Sequence, residues 1–298
     1  MNDLYVSSKV LEPIMFADDT NLFFSHKNIK ELFEVVNFEL EKICTWFKAN
    51  KLSLNEGKTK YTLFHKSIVK DNIPLKLPKL NMNEKEIKRT DCIKFLGVLF
   101  DENLTWKSHI HLIENKIAKN IGILYKAKYT VNQHGLKSLY YSFIHSYLNY
   151  GNIVWASTYR TKLKRLAAKQ REAIRIIDDN ANETTFQKME KLKILNIHKL
   201  NLYQTSNFMF RVKNNTIPHT FNRKFKIIDH IYPTRNSQNS FVQAIVKYKQ
   251  TKNAISSRGP SLWNNILDEN LKTLTSESLF KNKVKDLLLG LENEIQFF

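Results

Sequence analysis

The chain has 298 residues, 42% of them hydrophobic, which is enough for a packed core and far from the disordered range. No run of about 18 apolar residues occurs, so no membrane span is expected, and no basic-then-apolar leader opens the chain, so a non-secreted, intracellular (nuclear or cytoplasmic) protein is expected. A formal net charge of +19 excludes little about fold but much about partners, because a compact core gains nothing from self-repulsion while a polyanion releases counterions on binding.

An anionic membrane surface is the rival to nucleic acid, and would need a basic amphipathic segment with an unsatisfied apolar face. Cys44 and Cys92 are too few for a disulfide framework and form no C-x-x-C pair; both read as small buried hydrophobes without a disulfide partner.

The first element in the chain is Leu11–Ser25, two strand-like apolar runs with Asp18-Asp19 at the bend. Adjacent carboxylates repel unless a cation lies between them, although Asp also suits a plain solvated turn. An amphipathic helix is expected from Asn28 to Ala49, with Ile29, Leu32, Phe33, Val36, Leu40, Ile43 and Phe47 at three- and four-residue steps. Lys60 to His65 and Cys92 to Phe100 read as strands, and the stretch between them, with Pro74 and Pro78, as a loop and short hairpin.

Beyond Asn103 the pattern turns helical: Trp106 to Lys128, Leu136 to Leu148, Tyr159 to Ile177, Glu183 to Lys213 and Leu274 to Leu291. Arg223 to Ala254 is irregular with strand-like pieces. The helix from Tyr159 carries seven Lys/Arg in the seventeen residues from Arg160 to Ile176, offset by Glu172 alone. Lys116, Lys119, Arg160, Lys164, Arg165, Lys169 and Arg171 are therefore expected to meet phosphates, which positions a duplex without reading its bases. Asp178-Asp179 follows that helix with no strand around it and reads as a helix-end turn. His109-x-His111 lacks cysteine partners and is no zinc site.

Three boxes occur in order: Phe16-Ala17-Asp18-Asp19, then Trp46 to Lys60 with the pattern W-x-x-x-N-x-L-x-L-N-x-x-K-T, then Lys94-Phe95-Leu96-Gly97-Val98-Leu99-Phe100-Asp101. Together they resemble motifs C, D and E of reverse transcriptases of non-LTR (LINE-like, jockey/CR1-type) retrotransposons. The likeness continues weakly through Tyr150 to Trp155 and Gly259 to Asn264.

The resemblance implies an α+β fold: a partial palm over 1–103 (the hairpin plus its helix), a helical basic thumb over 104–180 and a mostly helical C-terminal region over 181–298. It implies Asp18 and Asp19 as catalytic ligands of Mg²⁺, Lys58 as the cation that neutralises or protonates departing pyrophosphate, and Leu96, Gly97 and Val98 as a primer grip. Its partners would be an RNA template–DNA primer duplex and deoxynucleoside triphosphates. Met1-Asn2-Asp3-Leu4 looks like the sequence just after motif B, so the fingers and motif A would precede it. The expectation is a fragment of an RNA-directed DNA polymerase that is inactive alone. The alternatives are a catalytically dead nucleic-acid-binding module and a gene start placed too far downstream. Gly57-Lys58-Thr59 is no phosphate loop, because the position five residues before Gly57 is Leu52.

Overall fold

In the computed structural model the described residues are 3–65, 77–222, 224–228, 239–243, 246 and 249–291. Mixed helix and small sheets, 55% and 11% of the described residues, make the fold α+β. It divides into two compact units, Met1–Thr105 and Trp106–Phe298.

In the first unit a short helix α1 (Leu4–Ser7) leads into the antiparallel hairpin β1 (Glu12–Phe16) and β2 (Asp19–Phe23), with Phe16 opposite Asp19. The expected helix follows as α2 (Ile29–Ala49), capped by the Asn28 side chain, which accepts from the Lys30 N–H. Its apolar stripe forms the core. Phe33, Leu40 and Cys44 pack with Leu80, Met82 and Ile87, while Ile43 and Phe47 pack with Leu4, Leu11 and the inner hairpin residues Met15 and Leu22. Glu39 is buried on α2 and takes hydrogen bonds from Ser8 Oγ at 2.6 Å and Lys42 Nζ at 2.7 Å. Those bonds hold its carboxyl below the ordinary glutamate value and pin the end of α1.

Two strand expectations are corrected. Of Lys60 to His65, only β3 (Lys60–Tyr61) is strand, and it pairs in parallel with β6 (Lys88–Arg89). Beyond it, Thr62 turns its hydroxyl to the Thr90 carbonyl. Cys92 to Phe100 is two strands, β7 (Cys92–Phe95) and β8 (Val98–Asp101), because Leu96 and Gly97 both take positive φ and reverse the chain. A third hairpin joins β4 (Asn81–Met82) to β5 (Lys85–Glu86). Pro74 lies outside the described residues.

The second unit is helical. Its main pair is α3 (Lys107–Ala127) against α7 (Arg160–Ile177). Between them the Leu136–Leu148 expectation is one longer rod: α4 (Gln133–Tyr140), a π-helical turn Tyr141–His145 and α5 (Ser146–Asn149). A short α6 (Asn152–Trp155) follows.

The single helix expected over Glu183 to Lys213 is instead α8 (Thr185–Lys191) and α9 (Ile197–Lys213), broken where Lys193 takes φ 54°. α9 packs on α12 (Ile255–Ile266) and α14 (Glu277–Gly290). The smaller helices α10 (His219–Asn222), α11 (Lys249–Lys252) and α13 (Glu269–Lys272) complete the described part. Most of the strand-like stretch after Arg223 lies outside the described residues; within them Ile227 bridges Phe241.

Gln170, fully buried on α7, ties this unit together. Its amide donates to Tyr140 Oη at 2.8 Å and the Leu195 carbonyl at 3.0 Å, and accepts from the Ile197 N–H at 2.9 Å. His109 on α3 is buried edge-on to Trp155, 5.4 Å between ring centroids, and burial, then the Lys116 charge, push it down to about 4. A buried neutral histidine binds fewer protons than its unfolded counterpart between about pH 4 and 6.5, so stability falls as pH drops through that window. Thermal or urea unfolding from pH 7 to 4 is expected to show a loss on the order of 3 kcal/mol from this group, which His109→Leu should largely remove.

Candidate functional site

Asp18 lies in a two-residue turn, Ala17-Asp18, and Asp19 opens β2. Ala17 has φ 53° and is the turn residue carrying positive φ, the sign pattern of a type II′ turn, which normally calls for glycine. The register puts Glu12, Ile14, Phe16, Asp19, Asn21 and Phe23 on the outer face and Met15 and Leu22 on α2. That outer face is mixed and open: Phe16, 62% exposed, and Ile14, 47% exposed, stand among Glu12, Asp19 and Asn21. Asp18 and Asp19 are exposed, and among the described residues neither has an ion-pair partner.

Two adjacent carboxylates fit the donor set of one Mg²⁺, which takes one or two carboxylates and completes its shell with water and phosphate. They do not enclose a two-ion centre. Among the described residues no group of three or more His, Cys, Asp or Glu could hold a metal ion.

Lys58 is exposed in a turn over Glu56–Lys58, and its ammonium has no partner among the described residues. Other residues of its box have structural tasks. Asn50 caps the α2 C-terminus through bonds to Trp46 and Lys48 carbonyls, and Asn55 Oδ1 accepts the Lys58 N–H at 3.2 Å. Leu54 packs into the core, and Glu56 pairs with Lys85 at 2.7 Å.

Leu96 and Gly97, with φ 44° and 81°, form the tip of the β7–β8 hairpin, and Val98 begins β8 with its side chain buried. Phe95 meets Phe23 edge-on at 6.1 Å, so the base of the Asp-Asp hairpin touches the hairpin of the third box. The acid pair itself is four residues further along β2, about 13 Å away at 3.3 Å per residue.

The basic residues separate by helix face. At 100° per residue the buried side of α7 holds Leu163, Leu166, Gln170, Ala173, Ile174 and Ile177, and one flank of the exposed side holds Arg160, Lys164, Arg171 and Arg175, with Glu172 further round the helix. This stripe runs about 22 Å along the helix. Arg165 and Lys169 stand beside it and are engaged: Arg165 with Glu114 of α3 at 2.9 Å, Lys169 with Glu172 at 2.8 Å. Lys116 reaches over the Tyr147 ring at 4.9 Å, while Lys119 is exposed on α3. Near Arg160 the structure adds Arg258, which composition did not single out; burial, then the Arg160 charge, push its guanidinium down to about 10.

Asp178 and Asp179 are a structural latch. Asp178 pairs with Lys191 and Asp179 with Lys128, both at 3.0 Å. His109 and His111 diverge, one into the core and one toward Asn115 on the surface. Cys44 is in the core and Cys92 half-buried, and both are free thiols.

One curated relative is the "Retrovirus-related Pol polyprotein from type-1 retrotransposable element R1 2" of Nasonia vitripennis, 28% identical over 106 residues. The match covers 36% of this chain and 26% of that protein, and it supports a retrotransposon-related origin. No family profile and no solved structure matches the chain. No helix among the described residues is long and apolar enough to cross a membrane.

The turn geometry makes its own test. Ala17→Gly should slow hydrogen exchange of the Glu12–Phe23 hairpin amides by the equivalent of about 1 kcal/mol, because glycine carries no penalty at positive φ. Gly97→Ala should speed exchange in the β7–β8 hairpin by roughly 1–2 kcal/mol. Equal exchange in wild type and both variants would refute the turn conformations.

Proposed function

We propose that this chain is the nucleic-acid-binding remnant of a retrotransposon RNA-directed DNA polymerase, with Asp18 and Asp19 as the metal-binding tip of its palm. The observation that carries the reading is the Asp-Asp hairpin itself: two adjacent unpaired carboxylates at a strained turn, on a strand pair packed over a long amphipathic helix. The partial likeness to a Pol polyprotein and the charge of +19 support it. A bound Mg²⁺ would supply Lewis-acid activation of a phosphoryl oxygen and neutralise pyrophosphate. This chain's own contribution is to hold two carboxylates outward, place Lys58 in an exposed turn, and offer backbone at Leu96, Gly97 and Val98 to a primer end.

Two ions need carboxylates from separate strands, and one tip provides a single pair. Neither strand of the two-stranded β1–β2 sheet pairs with a third strand among the described residues, and such an edge is suited to receive a further acid-bearing strand in cis or in trans. On this reading the chain binds an RNA–DNA primer–template and adds no deoxynucleotides by itself. Primer extension by the purified chain with Mg²⁺ or Mn²⁺ decides it. No incorporation is expected, with activity gained on adding a polypeptide carrying fingers and the missing palm strand, and lost again in Asp18→Ala. Incorporation by the chain alone that vanishes in Asp18→Ala would show it to be a complete polymerase. The second reading, a dead binding module, is favoured by the lack of a third ligand among the described residues, and gains if no added palm strand confers activity.

The α7 stripe is the proposed duplex surface. Affinity for a duplex should fall steeply between about 50 and 200 mM salt. Changing Lys119, Lys164 and Arg171 to Gln should lower the slope of log affinity against log salt by up to about three. Arg165→Gln should act partly through stability, since it strands Glu114. An unchanged slope in the triple variant would place the duplex elsewhere.

A further inference from the structure

A pocket of about 430 Å³ opens in the second unit on one face of α9, away from the α7 stripe in sequence and in lining. Its volume falls in the range of small-molecule sites. Tyr203, Asn207, Phe208 and Arg211 line it from α9, Asn149 from the end of α5 and Lys281 from α14. Their order along α9 follows the helix: 203, 207 and 211 stand at four-residue steps on one side, and 208 follows 207.

Each part has a distinct chemistry. Asn207 is 7% exposed and its Oδ1 is buried without a hydrogen-bond partner, although it lines the pocket. A buried carbonyl oxygen without a donor costs about 1–3 kcal/mol, and a donor arriving from a ligand would recover it. The two rings beside it are aromatic faces, and Phe208 is fixed edge-on between Phe221 at 5.9 Å and Phe225 at 5.7 Å. The rim is cationic. Arg211 and Lys281 share one carboxylate, Glu277, with Arg211 Nη2 at 2.7 Å and Lys281 Nζ at 2.6 Å from the same oxygen. Two cations on one acid leave a surplus positive charge, and their hydrogen bonds hold Glu277 below its ordinary value, so it stays ionised.

A buried amide that can donate and accept, flat aromatic walls and a net positive rim match the three parts of a nucleotide: base edge, base face and phosphate. We propose that this pocket binds one unstacked nucleotide of a single-stranded nucleic acid, with Asn207 on the base edge, Tyr203 or Phe208 against its face, and Arg211 and Lys281 toward its phosphate. A paired and stacked base offers neither its Watson–Crick edge to Asn207 nor its face to the rings, so the site selects single strands. This rests on the nucleic-acid reading above and adds a second, base-sensitive contact to it.

The test uses the full chain and two ligands of the same chemistry, a short single-stranded RNA and a nucleoside monophosphate, beside an RNA–DNA duplex. The strand should bind about tenfold more weakly to Asn207→Leu, and differences among the four homopolymers should shrink. Duplex affinity should be unchanged, which also shows that the variant is folded. Wild-type protein photo-crosslinked to RNA carrying 4-thiouridine should yield adducts on the peptide spanning Tyr203 to Arg211. Saturable binding of the monophosphate alone, without that of the strand, would overturn the single-strand assignment in favour of a free nucleotide. Single-strand affinity within twofold of wild type in Asn207→Leu, with no crosslink at 203–211, would overturn the pocket while leaving duplex binding intact. Loss of binding to every nucleic acid tested in the wild type would overturn the function reading and the pocket together.

Discussion

The second unit depends on one buried amide. Gln170 sits in the middle of α7, and its three hydrogen bonds fix Tyr140 in the rod that precedes the helix and the α9 end of the break that follows α8. Each partner would be a buried unsatisfied group without it, and the loss of a buried network of this size is among the few single changes that cost several kcal/mol. The consequence reaches the surface. Because one side of α7 is locked by Gln170 and the apolar residues around it, the rotation of the whole helix is fixed, and Arg160, Lys164, Arg171 and Arg175 are held as an exposed row along one flank. A polar residue inside the core thus sets the register of the charges outside it.

The first unit works from a different constraint, the breadth of the α2 stripe. Its sheets are four separate strand pairs, and none would be stable in water as an isolated hairpin. Three hold because α2 gives them an apolar surface: Met15 and Leu22 pack near Ile43 and Phe47, and Tyr61, Met82 and Ile87 near Phe33 and Leu40, while β7–β8 meets the first hairpin through Phe95 and Phe23. Turns at Ala17, Asn83, Glu84 and Leu96 adopt positive φ without glycine. Such positions cost about 1 kcal/mol each and persist where packing on both sides leaves no alternative. Short strands and strained turns are what a helix-organised unit can carry.

Elements with a strong period were legible. The stripes of α2, α3 and α7 predict those helices to within a residue or two, and the Asp-Asp bend predicts its hairpin. The break between α8 and α9 was not, because Leu192, Ile194, Leu195 and Ile197 continue an apolar pattern and no Gly or Pro interrupts it; the turn is set by Lys193 at φ 54° and by Gln170 accepting the Ile197 N–H. Cys92 to Phe100 read as one strand because β-formers flank Leu96-Gly97 on both sides, and leucine gives no turn signal. α12 was missed since Gly259 and Pro260 lie inside it; Gly259 is close against Met209, where a Cβ would come within 2.5 Å of the sulfur. Asn207 and Gln170 were invisible for a shared reason. A lone amide on a helix carries no pattern, and its meaning comes from neighbours brought in from tens of residues away.

The chain holds two Asp-Asp dipeptides, and their surroundings separate them more sharply than sequence could. Asp178 and Asp179 end a basic helix, and each has found its own lysine, so the repulsion between them is cancelled twice. Asp18 and Asp19 sit in a protein with 47 Lys and Arg and have none among the described residues. With cations so abundant, an acid pair that is unpaired among the described residues is a matter of placement: Asp18 lies in the turn and Asp19 opens β2, both exposed. A turn kept only for its shape would be served as well by Gly-Asn, without strain and without repulsion. Strain and like charge at one exposed point are both destabilising, and the repulsion is relieved when a cation is shared between the two carboxylates. That is the physical reason to place the proposed metal site at this tip and not at the latch at the end of α7.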